Sequence, residues 1–237
     1  RGIVPADTNM NWILSSGTQS LHMVKAIGLS DEAILSSAES VNAHLQCTHA
    51  DHWLLAIPDY HIGGLAIYAR AHLSGARLSA LDGKWSAKSF HAAVEQGGIT
   101  LTSLVPTQVH DLVSSGLSAP QGLRAVVVGG GALEPWLYLQ ARTQGWPLLP
   151  SYGLTECASQ VATAPLASLA LESYPALEIL KHVQVDLRDK QIFLQSTSLC
   201  RWVATMGASG FSIESPLLSG WLETEDLADK ALHRGQR

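Results

Sequence analysis

Apolar positions in this chain fall into short blocks separated by polar or glycine-containing breaks, and the blocks alternate in period. Residues 9 to 16 read as a short strand that runs into the polar loop Ser15-Ser16-Gly17-Thr18-Gln19-Ser20. Ser30 to Leu45 predicts a helix, with Ser30 as N-cap and Asp31 and Glu32 in the first turn, where carboxylates complement the helix dipole. Trp53 to Ile57 is a buried-strand candidate ended by Pro58, Leu65 to Leu73 a helix, and Arg77-Leu78 the start of another strand. Ser86 to Gln96 reads as a helix, Ile99 to Leu104 as a strand, and Ser114 to Gly122 as a loop. Ala125 to Val128 is an extended run that opens into Gly129-Gly130-Gly131; a helix over Glu134 to Arg142 follows, then a strand at Pro147 to Leu149. Strands alternating with helices imply a parallel sheet.

After about residue 168 the period changes. Val183, Val185 and Leu187 alternate with polar residues, Asp189-Lys190 suits a turn, and Ile192-Phe193-Leu194 resumes extended structure. The expected fold is therefore α/β: mostly parallel sheets flanked by helices over residues 1–168, with a small antiparallel β portion over residues 169–237.

Composition narrows the class. With 46% hydrophobic and 15% charged residues among 237, the chain can bury a substantial core. A net charge of -5 without any Lys/Arg block argues against a nucleic-acid partner. Cys47, Cys157 and Cys200 are odd in number and widely spaced, which suits a reducing cytoplasm better than a disulfide framework. No apolar run approaches the roughly 20 residues needed to cross a bilayer, and Arg1 to Asp7 lack a secretory core, so the expectation is a soluble protein with no membrane partner. Composition leaves oligomeric state open.

The segment from Ser151 to Thr163 carries the most chemistry: Tyr152, Gly153, Thr155 and Glu156 stand together just past a strand end. Upstream, Gly129, Gly130 and Gly131 would let backbone amides approach a ligand with no Cβ in the way. Two strand-then-loop units in succession suggest a crevice at the carboxyl ends of a parallel sheet, and a nucleotide is the ligand that fits. A capped turn with a surface Glu and a buried Tyr is the plainer reading of the same residues. Gly129-x-Gly131 lacks the third glycine of a dinucleotide fingerprint, and there is no Gly-x-Ser-x-Gly elbow or His-Glu-x-x-His pair. Cys47, His49, Asp51 and His52 cluster, but their spacing matches no common zinc pattern.

Taken in order, several segments resemble the adenylate-forming acyl-CoA synthetase family. Tyr152 to Glu156 followed by Ser159-Gln160-Val161-Ala162-Thr163 is similar to its central motif, in the form of the o-succinylbenzoate-CoA ligase branch. Pro58 to Leu65 resembles its Pro-x-Phe-His-x-x-Gly-Leu stretch, Leu104 to Gln108 its Val-Pro-Thr segment, and Gly220 to Asp226 its Gly-Trp-x-x-Thr-Gly-Asp signature, with Glu225 where the family has Gly. The resemblance implies an acid-CoA ligase using ATP, Mg²⁺ and CoA on a small carboxylic acid, in menaquinone synthesis for this branch. By the same resemblance Thr155 would touch the α-phosphate, Glu156 would help hold Mg²⁺, and Tyr152 and Gly153 with Gly129, Gly130 and Gly131 would flank the nucleotide. Asp226 would accept both ribose hydroxyls, since a carboxylate offers two oxygens to a vicinal diol.

The loop Ser15, Ser16, Gly17, Thr18, Gln19, Ser20 resembles the family's phosphate loop, although Gln19 and Ser20 replace Thr and Gly, the Pro is absent, and Lys25 comes two residues late. His61, Gly64, Arg70, Ser159 and Gln160 would form the acid pocket, with Arg70 suited to a second carboxylate that is not activated. The final residues resemble the hinge before the family's small C-terminal domain, so the resemblance implies a partial enzyme.

Overall fold

The computed structural model describes residues 10–15, 24–207 and 210–228. The chain opens with two strands, β1 (Met10–Ser15) and β2 (Val24–Ser30), and helix α1 (Asp31–Leu45). Then come β3 (His52–Leu55), α2 (Ile62–Ser74), β4 (Arg77–Ala80), α3 (Ala87–Gly97), β5 (Leu101–Leu104), α4 (Pro106–Ser114), β6 (Ala125–Val128), α5 (Pro135–Thr143) and β7 (Leu148–Leu154). A short 3-10 turn, Thr155–Cys157, leads into β8 (Ser159–Thr163) and β9 (Glu178–Ile179). The last strands are β10 (Val183–Arg188), β11 (Gln191–Ser196), β12 (Trp202–Gly207), β13 (Gly210–Glu214), β14 (Leu217–Leu218) and β15 (Trp221–Leu227).

A seven-stranded sheet in the order β4-β3-β5-β6-β7-β8-β9 is the centre of the fold. Its members from β4 to β7 are parallel, and β8 and β9 add antiparallel strands at one edge. Successive side chains on a strand point to opposite faces, and here both faces are apolar. Leu54, Leu104, Val126, Val128 and Leu148 pack on one side with Phe90, Val109 and Leu137 of α3, α4 and α5. Trp53, Leu55, Leu101, Val127 and Leu149 pack on the other with Val41, Leu45 and Ile67 of α1 and α2. This is the continuous hydrophobic strand pattern of a parallel sheet covered on both sides. Trp53 and Trp146 are fully buried, and truncating either to Ala would cost about 3–5 kcal/mol.

Several local predictions match the structure closely. The Ser30 hydroxyl accepts the Ala33 N–H at the head of α1, and the turn at Asp189 and Lys190 joins β10 to β11 in antiparallel register. Strand β2, helix α4 and strand β8 lie outside the sequence reading, and strands β9 and β12 to β15 had no bounds of their own in it.

Residues 24–30 do not feed a parallel sheet. They return antiparallel along β1, and β12 pairs on the other side of β2, giving a separate sheet β1-β2-β12-β13. Gly28 hides this strand because its apolar run is interrupted, and the Trp12 ring covers the gap at 3.1 Å from where a Cβ would stand. One face of this sheet packs inward through Ile13, Ile27, Leu29 and Val203, while Trp12, Leu14, Val24, Met206 and Phe211 remain exposed. The sheet therefore joins residues from both sides of the division expected near residue 168. A second four-stranded sheet, β10-β11-β15-β14, is antiparallel as expected and docks on β7 and β8 through Cys157, Val161, Val183, Leu194 and Leu222.

Candidate active site

A cleft of about 620 Å³ opens at the carboxyl ends of the parallel strands, within the size range of small-molecule sites. His61, Arg70, Gly129, Gly130, Gly153, Thr155, Ser159 and Gln160 all line it. The topology explains the convergence. Strands β3, β5, β6 and β7 end at one edge of the sheet, so the segments that leave them face a common space. Gln108 ties two of these exits together: its Oε1 accepts the Val105 N–H at 3.0 Å and its Nε2 donates to the Ala56 carbonyl at 2.8 Å.

At the deep end stands Arg70, on the inner face of α2 and only 1% exposed. Its guanidinium donates to Ser159 Oγ at 3.3 Å and lies 5.7 Å from the centre of the Trp53 ring. Its Nε has no hydrogen-bond partner, and among the described residues no carboxylate pairs with it. Burial pushes its pKa down to about 10, partly offset by Cys47, so it remains a cation at neutral pH. A buried charge without a counter-ion is costly to keep. An incoming carboxylate would remove that cost, and Arg suits it because its donors form a planar fork.

The opposite end is organised by pairs. Thr155 and Glu156 begin the 3-10 turn after β7, a turn closed by the Ala158 N–H on the Thr155 carbonyl and by the Cys200 N–H on the Glu156 carbonyl at 2.7 Å. Thr155 faces the cleft. Glu156 turns aside and accepts from Lys25 Nζ at 2.6 Å. Ser15 stands opposite Lys25 in the β1–β2 ladder, while Ser16, Gly17, Thr18, Gln19 and Ser20 lie outside the described residues.

Tyr152 does not line the cleft. Its hydroxyl donates to Asp226 Oδ2 at 2.7 Å, joining β7 to β15 of the small sheet. Burial, together with that bond to Asp226, raises the Tyr152 pKa well above its ordinary value. The carboxylate expected to receive a ribose therefore sits at the end of the strand beside Tyr152 and is exposed.

Three glycines serve different ends. At Gly153 a Cβ would fall 1.8 Å from the Ser159 carbonyl oxygen, so the β7–β8 hairpin can close only over a glycine. A Cβ at Gly64, expected in the acid pocket, would stand 2.3 Å from the Pro58 carbonyl oxygen. Gly64 thus seats the first turn of α2 against the exit of β3, and Gly63 lines the cleft in its place. Gly131 is exposed next to Pro106 and lies off the cleft lining.

Ser103, Ser151, Trp85 and Gln108 also line the cleft, and the sequence reading assigned them no role. Ser103 offers a hydroxyl with no partner, and its position at the carboxyl end of β5 was the available signal. The Cys47–His52 cluster is structural. Asp51 accepts from Arg124 Nε at 2.9 Å and from Thr100, and His52 is held between the Gly97 carbonyl and Ser79 Oγ. Burial raises Asp51, but those hydrogen bonds outweigh it and leave the carboxyl below its ordinary range.

Glu156 is the metal-capable carboxylate beside the cleft, and among the described residues no group of three His, Cys, Asp or Glu gathers to hold an ion. A single carboxylate still fits Mg²⁺, which keeps several waters and takes most other ligands from substrate phosphates. Glu156 would hold it, with Thr155 as the neighbouring hydroxyl. No helix of the described residues is long and apolar enough to cross a membrane.

Residues 2–191 match the AMP-binding enzyme family. The chain is 32% identical over 230 residues to the 2-succinylbenzoate–CoA ligase of Escherichia coli strain K12, covering 94% of this chain and 45% of that protein. The Enterococcus faecalis protein of the same name is 31% identical over 160 residues, covering 66% of this chain and 32% of that one. A solved structure of E. coli MenE with a bound m phenylether-linked analogue of OSB-AMS superposes with TM-score 0.71 at 30% identity, over 92% of this chain and 45% of that one. The Bacillus subtilis MenE complex with ATP and magnesium ion shares the fold, with TM-score 0.71 at 22% identity, over 86% of this chain and 49% of that one. The chain thus spans less than half the length of these curated relatives.

Proposed function

This chain belongs to the AMP-binding enzyme family, and from that premise we propose that it carries the adenylation site of an acid-CoA ligase whose acid is o-succinylbenzoate, the acid activated on the way to menaquinone. One observation carries the choice of acid: Arg70, buried and without a carboxylate partner among the described residues, shares a cleft with Thr155 and the Gly129-Gly130 backbone. An acid with two carboxylates would use them at opposite ends. The remote one would pair with Arg70, and the reactive one would then lie toward Thr155.

ATP, when bound, supplies the α-phosphorus that the reactive carboxylate attacks, with pyrophosphate leaving to give the acyl-adenylate. Arg70 and Ser159 fix the acid so that the attack is effectively intramolecular, a source of rate that needs no new chemistry. Thr155 places a neutral donor where negative charge grows on phosphate oxygens, and such preorganised donors count most where water is excluded. Glu156 is the group for Mg²⁺, Asp226 the group for the ribose, and CoA would be the acyl acceptor in a second step.

Calorimetry with a non-hydrolysable ATP analogue, Mg²⁺ and o-succinylbenzoate tests the reading. Both ligands should bind, and a benzoate lacking the succinyl carboxylate should bind markedly more weakly. Equal binding of the two acids would favour a ligase for another aryl or acyl acid. Absence of nucleotide binding would point instead to a catalytically idle homologue.

A further inference from the structure

Glu156 is already neutralised from within the chain. Lys25 Nζ lies 2.6 Å from its Oε1, with the lysine side chain 36% exposed and the glutamate 16%. The pair is not needed to shape either partner's backbone. The turn holding Glu156 is closed by the Cys200 and Ala158 N–H groups, and β2 is held by ladders to β1 and β12 on both sides. Glu156 immediately follows Thr155, which faces the cleft. A partly exposed ammonium has therefore been placed on a carboxylate that, among the described residues, stands beside the cleft where it can meet a divalent metal.

We propose that Lys25 is a tethered cation that competes with the divalent metal for Glu156 and thereby sets how much free metal the protein needs to bind nucleotide. This rests on the ligase reading. A hard dication is held by few protein oxygens and by phosphates, so the charge on one carboxylate weighs heavily in its uptake. While Lys25 occupies Oε1, that charge is cancelled. Released from Glu156, the Lys25 ammonium becomes a point charge that a nucleotide phosphate can use.

The test uses Mn²⁺ as probe, with free ion followed by electron paramagnetic resonance in the presence of a non-hydrolysable ATP analogue. Lys25→Met should lower the Mn²⁺ concentration that half-saturates nucleotide binding by roughly fivefold, the upper end of what a partly exposed ion pair is worth. The same variant should weaken nucleotide binding measured in chelator. In a Glu156→Gln background the lysine substitution should bring no gain in Mn²⁺ uptake. Lys25→Gln replaces the Met variant if that one fails to fold. An unchanged or increased Mn²⁺ requirement in the lysine variant, with nucleotide still bound, would overturn this inference alone. Failure of the unmodified protein to bind nucleotide at any Mn²⁺ concentration would overturn the ligase reading as well.

Discussion

The two ends of the cleft are built on opposite electrostatic plans. At the deep end Arg70 is buried with an unsatisfied Nε and, among the described residues, no counter-ion, so part of its electrostatic partnership is left for a ligand. Beside the Thr155 end, off the cleft lining, the charged groups are paired: Lys25 with Glu156, and Tyr152 with Asp226. An unpartnered buried charge commits its surroundings to one kind of ligand. A satisfied pair near solvent can be exchanged, because neither member loses much on release. On the proposed function, the deep end would select the acid and the outer end would admit a nucleotide and its metal.

The largest expected effect breaks the deep end. Arg70→Ala should weaken o-succinylbenzoate by at least roughly 30-fold, since losing one partner of a desolvated charge pair costs about 2–5 kcal/mol. Nucleotide affinity should change far less, and calorimetry of both ligands checks the contrast. Equal losses would mean that Arg70 supports the whole cleft rather than one ligand.

Gly153→Ala attacks the hinge between the two ends. A Cβ there overlaps the Ser159 carbonyl, so the β7–β8 hairpin must deform, at a cost of about 2–4 kcal/mol. Chemical denaturation should show that loss, together with weaker binding of both ligands, because Thr155 and Ser159 flank the same hairpin.

Acid should loosen the outer end first. His182, beside the small sheet that carries Asp226, has neither ring nitrogen hydrogen-bonded, and burial lowers its pKa from 6.5 to about 4. The folded state therefore favours the neutral ring. Its stability contribution is complete above pH 6.5 and is lost as pH falls toward about 4, a change of about 2 kcal/mol after allowance for partial exposure. Denaturation curves at pH 7 and pH 4 should differ less in His182→Phe than in the parent.

The smallest effect is Tyr152→Phe, which removes one hydrogen bond between β7 and β15. A loss of about 1 kcal/mol is expected, with nucleotide affinity more affected than acid affinity. No change in either would show that the Tyr152–Asp226 contact does not position the outer end.

Strands β3 and β6 and the start of β7 were legible because Trp53 to Leu55, Ala125 to Val128 and Leu148-Leu149 are buried on both faces and read as unbroken apolar runs. The Ser30 cap and the turn at Asp189-Lys190 were legible because their geometry depends on neighbours in sequence. Strand β2 was not, since its partners are Met10 to Ser15 on one side and Trp202 to Met206 on the other, the latter more than 170 positions away. Gly64 and Gly131 illustrate the same limit within the site. A motif says that a glycine is required, and only the packing shows whether a ligand or a neighbouring backbone requires it.

Local order, the carboxyl-end crevice, and the residue types gathered there follow from the amino-acid sequence, because hydrophobic period and turn chemistry act over a few positions. The identity of each side chain's partner was decided by the tertiary structure alone. Whether Arg70 meets a carboxylate or waits without one, and whether Glu156 faces the cleft or Lys25, depends on Coulomb and packing terms between residues as far as 131 positions apart. Those terms exist only once the sheets have brought the strands together.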